Sequence, residues 1–151
     1  MPFFKRLIVF LILNFGALAL GRWLMNNGPK SEWYTSLNQA PWTPPGWVFG
    51  VAWTVIMICF SIYMAKLYLK TPTQKVIMLF GIQFTLNVLW NFVFFNQQQI
   101  ALGFIVILLL TILVCTFFFK FRNIKTRYLL LPYIIWLFIA TSLNAYILIN
   151  N

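Results

Sequence analysis

Gln83, Asn87 and Asn91 recur every fourth residue in the apolar stretch GIQFTLNVLWNFVFF, with Trp90 and Phe94 beside them. On a helix, fourfold spacing keeps side chains on one slowly drifting face. A second stretch, LLLPYIIWLFIATSLN, carries Tyr133, Trp136, Ala140 and Asn144 at intervals of three and four. A third puts Phe49, Trp53, Met57 and Phe60 on one face. Such stripes offer flat π surfaces, neutral amide donors and acceptors and, at Ala140, room for a ligand edge. The chemistry they suit is stacking and uncharged hydrogen bonding. Membrane amides also tie helices together, at about 0.6–2 kcal/mol each. Membrane tryptophans also form interfacial belts, a role that fits Trp23 and Trp33 better than Trp90 and Trp136. The coincidence of amides and rings on shared faces favours a cavity of moderate polarity.

Acid–base and metal chemistry have nothing to work with. The sequence has no His and no Asp, and its one acidic residue is Glu32. A proton relay, a carboxylate ion site, a metal site and most nucleophilic triads are therefore missing their usual groups. No Gly-rich phosphate loop occurs. Cys59 and Cys115 stand apart with no metal-binding spacing, and read as small apolar packing residues.

The elements that must carry these faces follow from composition. Of 151 residues, 62% are hydrophobic and 8% charged, against about 25% charged in a soluble domain. Five apolar segments, 4–24, 46–67, 76–95, 100–119 and 128–149, each approach the roughly 20 residues that cross a hydrocarbon core. The expected fold is a single domain over 1–151, an all-α membrane protein with a five-transmembrane-helix bundle. Short connections at 70–75, 96–99 and 120–127 predict that consecutive helices are antiparallel neighbours. Only 25–45 is long. Lys5-Arg6 followed by an apolar run and Ala17-Leu18-Ala19 also fits a cleavable signal peptide, but the run continues unbroken past Ala19. Pro132 removes a helical donor from the Tyr128 carbonyl, and either kinks the last span or is tolerated near its start.

The net charge of +10 is distributed unevenly. Lys5, Arg6, Lys66, Lys70, Lys75, Lys120, Arg122, Lys125 and Arg127 share one side of a five-span bundle, and Arg22 and Lys30 lie on the other. This is a positive-inside pattern, not a nucleic-acid footprint. It predicts a cytoplasmic N-terminus, with the first loop and the C-terminus outside, in a membrane expected to be a bacterial plasma membrane.

The long connector runs into WYTSLNQAPWTPPGWVFGVAWT, with four tryptophans and three prolines between Trp33 and Thr54. Prolines restrict the backbone and tryptophans supply rigid flat surfaces. Thr43-Pro44-Pro45 reads as an N-cap followed by prolines in the first turn of the next helix. The connector is expected to roof an uncharged niche between spans two, three and five, shaped for a flat apolar ligand.

These residues resemble the tryptophan-rich sensory protein / translocator protein (TspO/MBR, peripheral-type benzodiazepine receptor) family over essentially the whole chain. The specific matches are Trp33-Tyr34, Leu37, Pro41-Trp42, Pro44-Pro45, Phe49 and Trp53, then Asn87, Trp90 and Phe94-Phe95, then Pro132-Tyr133, Trp136, Ala140-Thr141 and Leu143-Asn144. The resemblance implies a homodimeric receptor or sensor with a bundle pocket for porphyrins (protoporphyrin IX or heme) and benzodiazepine-type ligands, and no obligatory cofactor. The family's pocket positions fall on Tyr34, Trp53, Asn87, Trp90, Trp136 and Ala140. Trp42, Phe49, Phe94 and Asn144 complete the expected ligand-binding set. Met57 stands where some relatives carry an aromatic. No Lys or Arg follows Tyr146, so the family's sterol-recognition pattern is incomplete. Arg22 and Lys30 are candidate partners for porphyrin propionates, or simply snorkel to the interface. Ala17-x-x-x-Gly21 and Gly81-x-x-x-Thr85 are small-residue pairs that would permit self-association. Light-dependent porphyrin degradation and passive transfer of a tetrapyrrole or lipid-like ligand are the alternative functions.

Overall fold

The computed structural model describes residues 2–151. Five long apolar helices account for most of the chain. They are α1 (Phe3–Leu24), α3 (Gly46–Lys70), α4 (Gln74–Asn91), α5 (Ile100–Lys120) and α6 (Leu131–Asn150). A five-residue helix, α2 (Glu32–Ser36), lies in the long connector. No strand occurs among the described residues. Each long helix, with the turns that extend it, is long and apolar enough to cross a bilayer. The expected spans thus match to within a few residues at each end.

The helices form a closed ring. Close backbone approaches join α1 to α3 and α4, α5 to α4 and α6, and α6 to α3. Spans two and three are therefore not close neighbours, despite their short connection. They meet across the interior through ring contacts such as Phe60 on Phe80, with centroids 6.0 Å apart. The first helix slots in beside both. Its Asn14 donates to Ser61 Oγ at 2.8 Å, and Ala17 and Gly21 are buried. A Cβ on Gly21 would stand 2.6 Å from Asn91 Nδ2. The Ala17/Gly21 pair thus serves packing within this chain rather than self-association. Gly81 and Thr85 are exposed on α4.

Local sequence explains the helix ends. Ser31 Oγ accepts from Tyr34 N–H at 3.2 Å and caps α2, and Thr73 Oγ1 caps α4. Thr43 does not cap α3. Its hydroxyl donates to the Ala40 carbonyl at 2.7 Å, closing a turn, and Pro44 and Pro45 precede the helix, which begins at Gly46. Pro132 falls in the first turn of α6, where a missing N–H leaves nothing unpaired; residues Lys125–Leu130 before it form a 3-10 turn. At its outer end α4 widens into a π turn, Phe92–Asn96, held by Gln97 N–H on Phe92 O at 2.9 Å. Asn96 Nδ2 then reaches across to Leu24 O at 2.8 Å.

The basic residues gather at the opposite end. Arg6 donates to Tyr68 O at 2.7 Å and lies over the Tyr68 ring, and Lys66 lies over Phe3. Between these two ends the core is built from rings and branched side chains, with Phe60, Tyr63, Met64, Leu67, Phe117 and Leu130 fully buried. Cys59 and Cys115 are half-buried free thiols.

Candidate ligand-binding site

Helix α4 stands off from both α3 and α6, and long side chains bridge the interval. Gln83 donates through Nε2 to Tyr133 OH, forming a floor between α4 and α6. Two turns outward, Trp90 Nε1 donates to Asn144 Oδ1 at 3.2 Å, and Asn144 Nδ2 is held by Ala140 O at 2.8 Å. Helices α4 and α6 run in the same direction, so Asn87 and Trp136 lie at depths between these two bridges. From α3, Phe49 meets Trp136 edge to face at 5.2 Å, and Trp53 meets Tyr133 at 5.9 Å. The expected stripes of spans two, three and five therefore do face one another, and Phe49, Trp53, Asn87, Trp90, Trp136, Ala140 and Asn144 share one region.

The polar groups there are unevenly satisfied. Asn87 is only 4% exposed, yet no protein hydrogen bond to its side-chain amide occurs among the described residues; only its backbone carbonyl is used, by Asn91 Nδ2 at 3.1 Å. The indole N–H groups of Trp53 and Trp136 are likewise without a protein partner among those residues, and Gln83 Oε1 is buried and unpaired. Of these groups Gln83 Oε1 is the one sealed from solvent, and a hydrogen bond left unmade at a buried atom costs about 1–3 kcal/mol. All are neutral, and ring contacts join Trp136 to Phe49 and Trp53 to Tyr133.

The connector closes the outer end. Trp33 and Tyr34 pack edge-on against Phe94, at 5.5 and 6.1 Å, and Phe94 stacks on Trp90 at 5.4 Å with planes 10° apart. The roof thus reaches the interior through Phe94. Burial pushes the Tyr34 phenol above its ordinary pKa, so it stays neutral. The connector is tied to the end of α6 by Asn38 and Asn151: Asn38 N–H donates to Asn151 Oδ1 at 2.9 Å, and Asn151 Nδ2 donates to Asn38 O at 3.1 Å.

Not every expected site residue joins this group. Trp42 is 53% exposed. Its Nε1 donates to Ser142 Oγ at 3.0 Å and its ring abuts Tyr146, so it clamps the connector to the outside of α6. Arg22 and Lys30 are exposed at the connector end, and among the described residues no hydrogen bond or ring contact joins them to the interior group. Two outer-surface depressions, of about 590 and 420 Å³, lie away from it, between α5 and α6 and along α4. The Asn38–Asn151 tie and the Gln83–Tyr133 floor are the parts sequence reasoning missed. Gln83 and Tyr133 each stood out as stripe members, but their pairing depends on helix order.

The TspO/MBR family profile matches residues 8–149. The chain belongs to the TspO/MBR family. Among its relatives, a tryptophan-rich sensory protein of Cereibacter sphaeroides is 31% identical over 115 residues, covering 75% of this chain and 73% of that protein. The tryptophan-rich protein TspO of Chlorobaculum tepidum is 33% identical over 129 residues, 82% of each chain. The human translocator protein is 28% identical over 126 residues, covering 78% of this chain and 74% of the human one. Family membership and five apolar helices make this TspO/MBR chain an integral membrane protein.

Proposed function

We propose that this TspO/MBR chain is a membrane receptor or sensor that binds a flat tetrapyrrole, protoporphyrin IX or heme, between α3, α4 and α6 beneath the connector. The observation that carries this reading is Asn87, a buried residue one turn from Trp90 on α4 whose side-chain amide has no protein hydrogen bond among the described residues. A planar macrocycle offers π faces to the indoles, and the pyrrole nitrogens of a free-base ring complement neutral donors and acceptors. Phe49 and Trp53 are half-buried, and their edge-to-face contacts with Trp136 and Tyr133 are the ones a ligand would replace. The same uncharged, aromatic surroundings suit benzodiazepine-type ligands. The propionates would leave toward the connector end, where Arg22 and Lys30 stand in solvent.

The charge distribution supports an orientation with the basic end cytoplasmic and the connector outside. In a bacterium that orientation would put the site at the outer face of the plasma membrane. A homodimer would use a surface other than Ala17/Gly21.

Titration of purified protein with protoporphyrin IX in the dark tests the reading. Saturable quenching of tryptophan fluorescence is expected, with affinity about tenfold lower for Asn87→Ala and for Trp136→Phe. Unchanged affinity in both variants, with the wild type binding saturably, would remove the ligand from this site.

A further inference from the structure

We propose that the groove between α5 and α6 seats an acyl chain of an anionic glycerophospholipid whose phosphate rests on Lys120 and Lys75. The groove, about 590 Å³, is lined by Leu108, Ile112, Thr116 and Phe119 of α5 and Phe138 of α6, and it ends at Lys120. Its hydroxyls are already committed. Thr116 Oγ1 donates to Ile112 O at 2.8 Å, and Thr111 Oγ1 is shared between Ile107 O and Thr141 Oγ1. Apart from the thiol of Cys115, the walls therefore offer methyl and ring surface, which suits hydrocarbon. Twelve residues separate Leu108 from Lys120, about 18 Å of helix rise. That is close to the depth of one leaflet, about 15 Å of hydrocarbon.

The mouth of the groove supplies the second argument. Lys75 stands in the first turn of α4 and Lys120 closes α5, at the same end of two helices that pack side by side. Like charges gathered at one end of the bundle repel. No acidic side chain relieves them, because the only one in the sequence, Glu32, sits in α2 at the other end of the bundle. Neighbouring cations add to the field: Arg122 is anchored on Phe119 O at 3.0 Å, and Arg127 lies over Phe118 and Tyr128. A second copy of the chain lying parallel would bring only more lysines to this level. A phospholipid phosphate brings an anion at that depth, with a chain that fits the trough below it.

Native mass spectrometry of the full chain, released from detergent with increasing phosphatidylglycerol or phosphatidylcholine of identical chains, tests this assignment. One phosphatidylglycerol is expected to be retained at least about tenfold more tightly than phosphatidylcholine. Each basic residue at an anionic surface contributes about a fivefold factor. The double variant Lys75→Gln/Lys120→Gln should therefore lose that preference, whereas Lys5→Gln/Lys70→Gln, which removes equal charge from the same end, should keep most of it. Thr116→Trp, at an exposed position that tolerates bulk, should expel both lipids from the site. Equal losses in the two charge pairs would assign the effect to the basic end as a whole and overturn the proposal. So would undiminished retention in Thr116→Trp. Thermal melting of each variant confirms that the bundle is folded.

Discussion

The two ends of this bundle use the same material in opposite ways. Toward the basic end, aromatic rings shut the interior. Phe60 alone contacts Tyr63, Phe80, Phe117 and Tyr133, with centroids 5.3–6.3 Å apart, and both Phe60 and Tyr63 are fully buried. Toward the connector, rings of similar size are buried less evenly. Phe49, Trp53 and Trp90 are only half-buried, and Asn87 has no protein partner for its amide. The difference lies in what α4 is packed against. It approaches α1 and α5 closely but faces α3 and α6 at a distance. At the basic end Phe60 and Phe80 fill that interval. At the outer end indoles and amides only bridge it. Ring content alone therefore does not separate the two halves; the burial of the rings and the bonding of the amides beside them do.

Truncating the sealed end gives the largest expected effect. Phe60→Ala should destabilise the protein by about 3–5 kcal/mol, because four ring neighbours cannot all collapse into the space. Phe49→Ala, in the outer half, should cost less than half as much. Thermal denaturation followed by far-ultraviolet circular dichroism checks the pair. Equal losses would mean that both halves are packed alike, and the contrast would fail.

A smaller effect should reach the outer half from behind. A Cβ on Gly103 would stand 2.9 Å from Phe94 Cδ2 and 3.1 Å from Phe94 Cβ. Phe94 is buried and stacked on Trp90, so it cannot swing clear without moving that indole. Gly103→Ala should cost about 1–3 kcal/mol and also lower tetrapyrrole affinity. A stability loss with unchanged affinity would show that Phe94 is mere filling rather than the link between roof and interior.

Much of this arrangement is legible in the sequence, and the rest is not for identifiable reasons. Helical periodicity places Asn87 with Trp90, and Trp136 with Ala140 and Asn144, because those relations lie within one helix. The family motifs add Phe49 and Trp53. What periodicity cannot supply is the order of helices around the ring. A three-residue link between α3 and α4 suggests adjacency, yet α1 takes the place beside both. The small residues of α1 and its Asn14 make that placement possible, and their pairing with Ser61 and Asn91 depends on knowing it. Trp42 misleads for a related reason. Its type and motif suit a ligand wall, but its indole N–H finds Ser142 on the outside of α6. Thr43 precedes a helix as a cap would, yet two prolines follow and its hydroxyl closes a turn instead.

Asn144 and Asn87 sharpen the contrast at lower energy. Asn144→Ala removes a bridge to Trp90, and should cost about 0.6–2 kcal/mol in stability, the range of interhelical amide bonds in membranes. Asn87→Ala removes no protein–protein side-chain hydrogen bond and should leave the melting temperature within about 1 °C, while weakening the ligand. A bridge and an unpaired amide thus separate into a stability residue and an affinity residue. If Asn87→Ala melts as early as Asn144→Ala, its amide is structural and the outer half is a core after all.

The smallest expected effect concerns the tie between connector and bundle. Asn151 holds Asn38 through two hydrogen bonds, both at exposed positions, where each contributes at most about 0.5–1.5 kcal/mol net. The connector is also held by Trp33 and Tyr34 on Phe94, so Asn151→Ala should not unfold it. Loosening one edge should instead make the roof open more often. Because opening precedes both binding and release, both rates should rise, about two- to threefold, with little change in equilibrium affinity. Stopped-flow quenching with protoporphyrin IX resolves the two rates. A change in affinity with unchanged rates would mean that Asn38 or Asn151 touches the ligand itself, which would move the site outward from Asn87 to the connector.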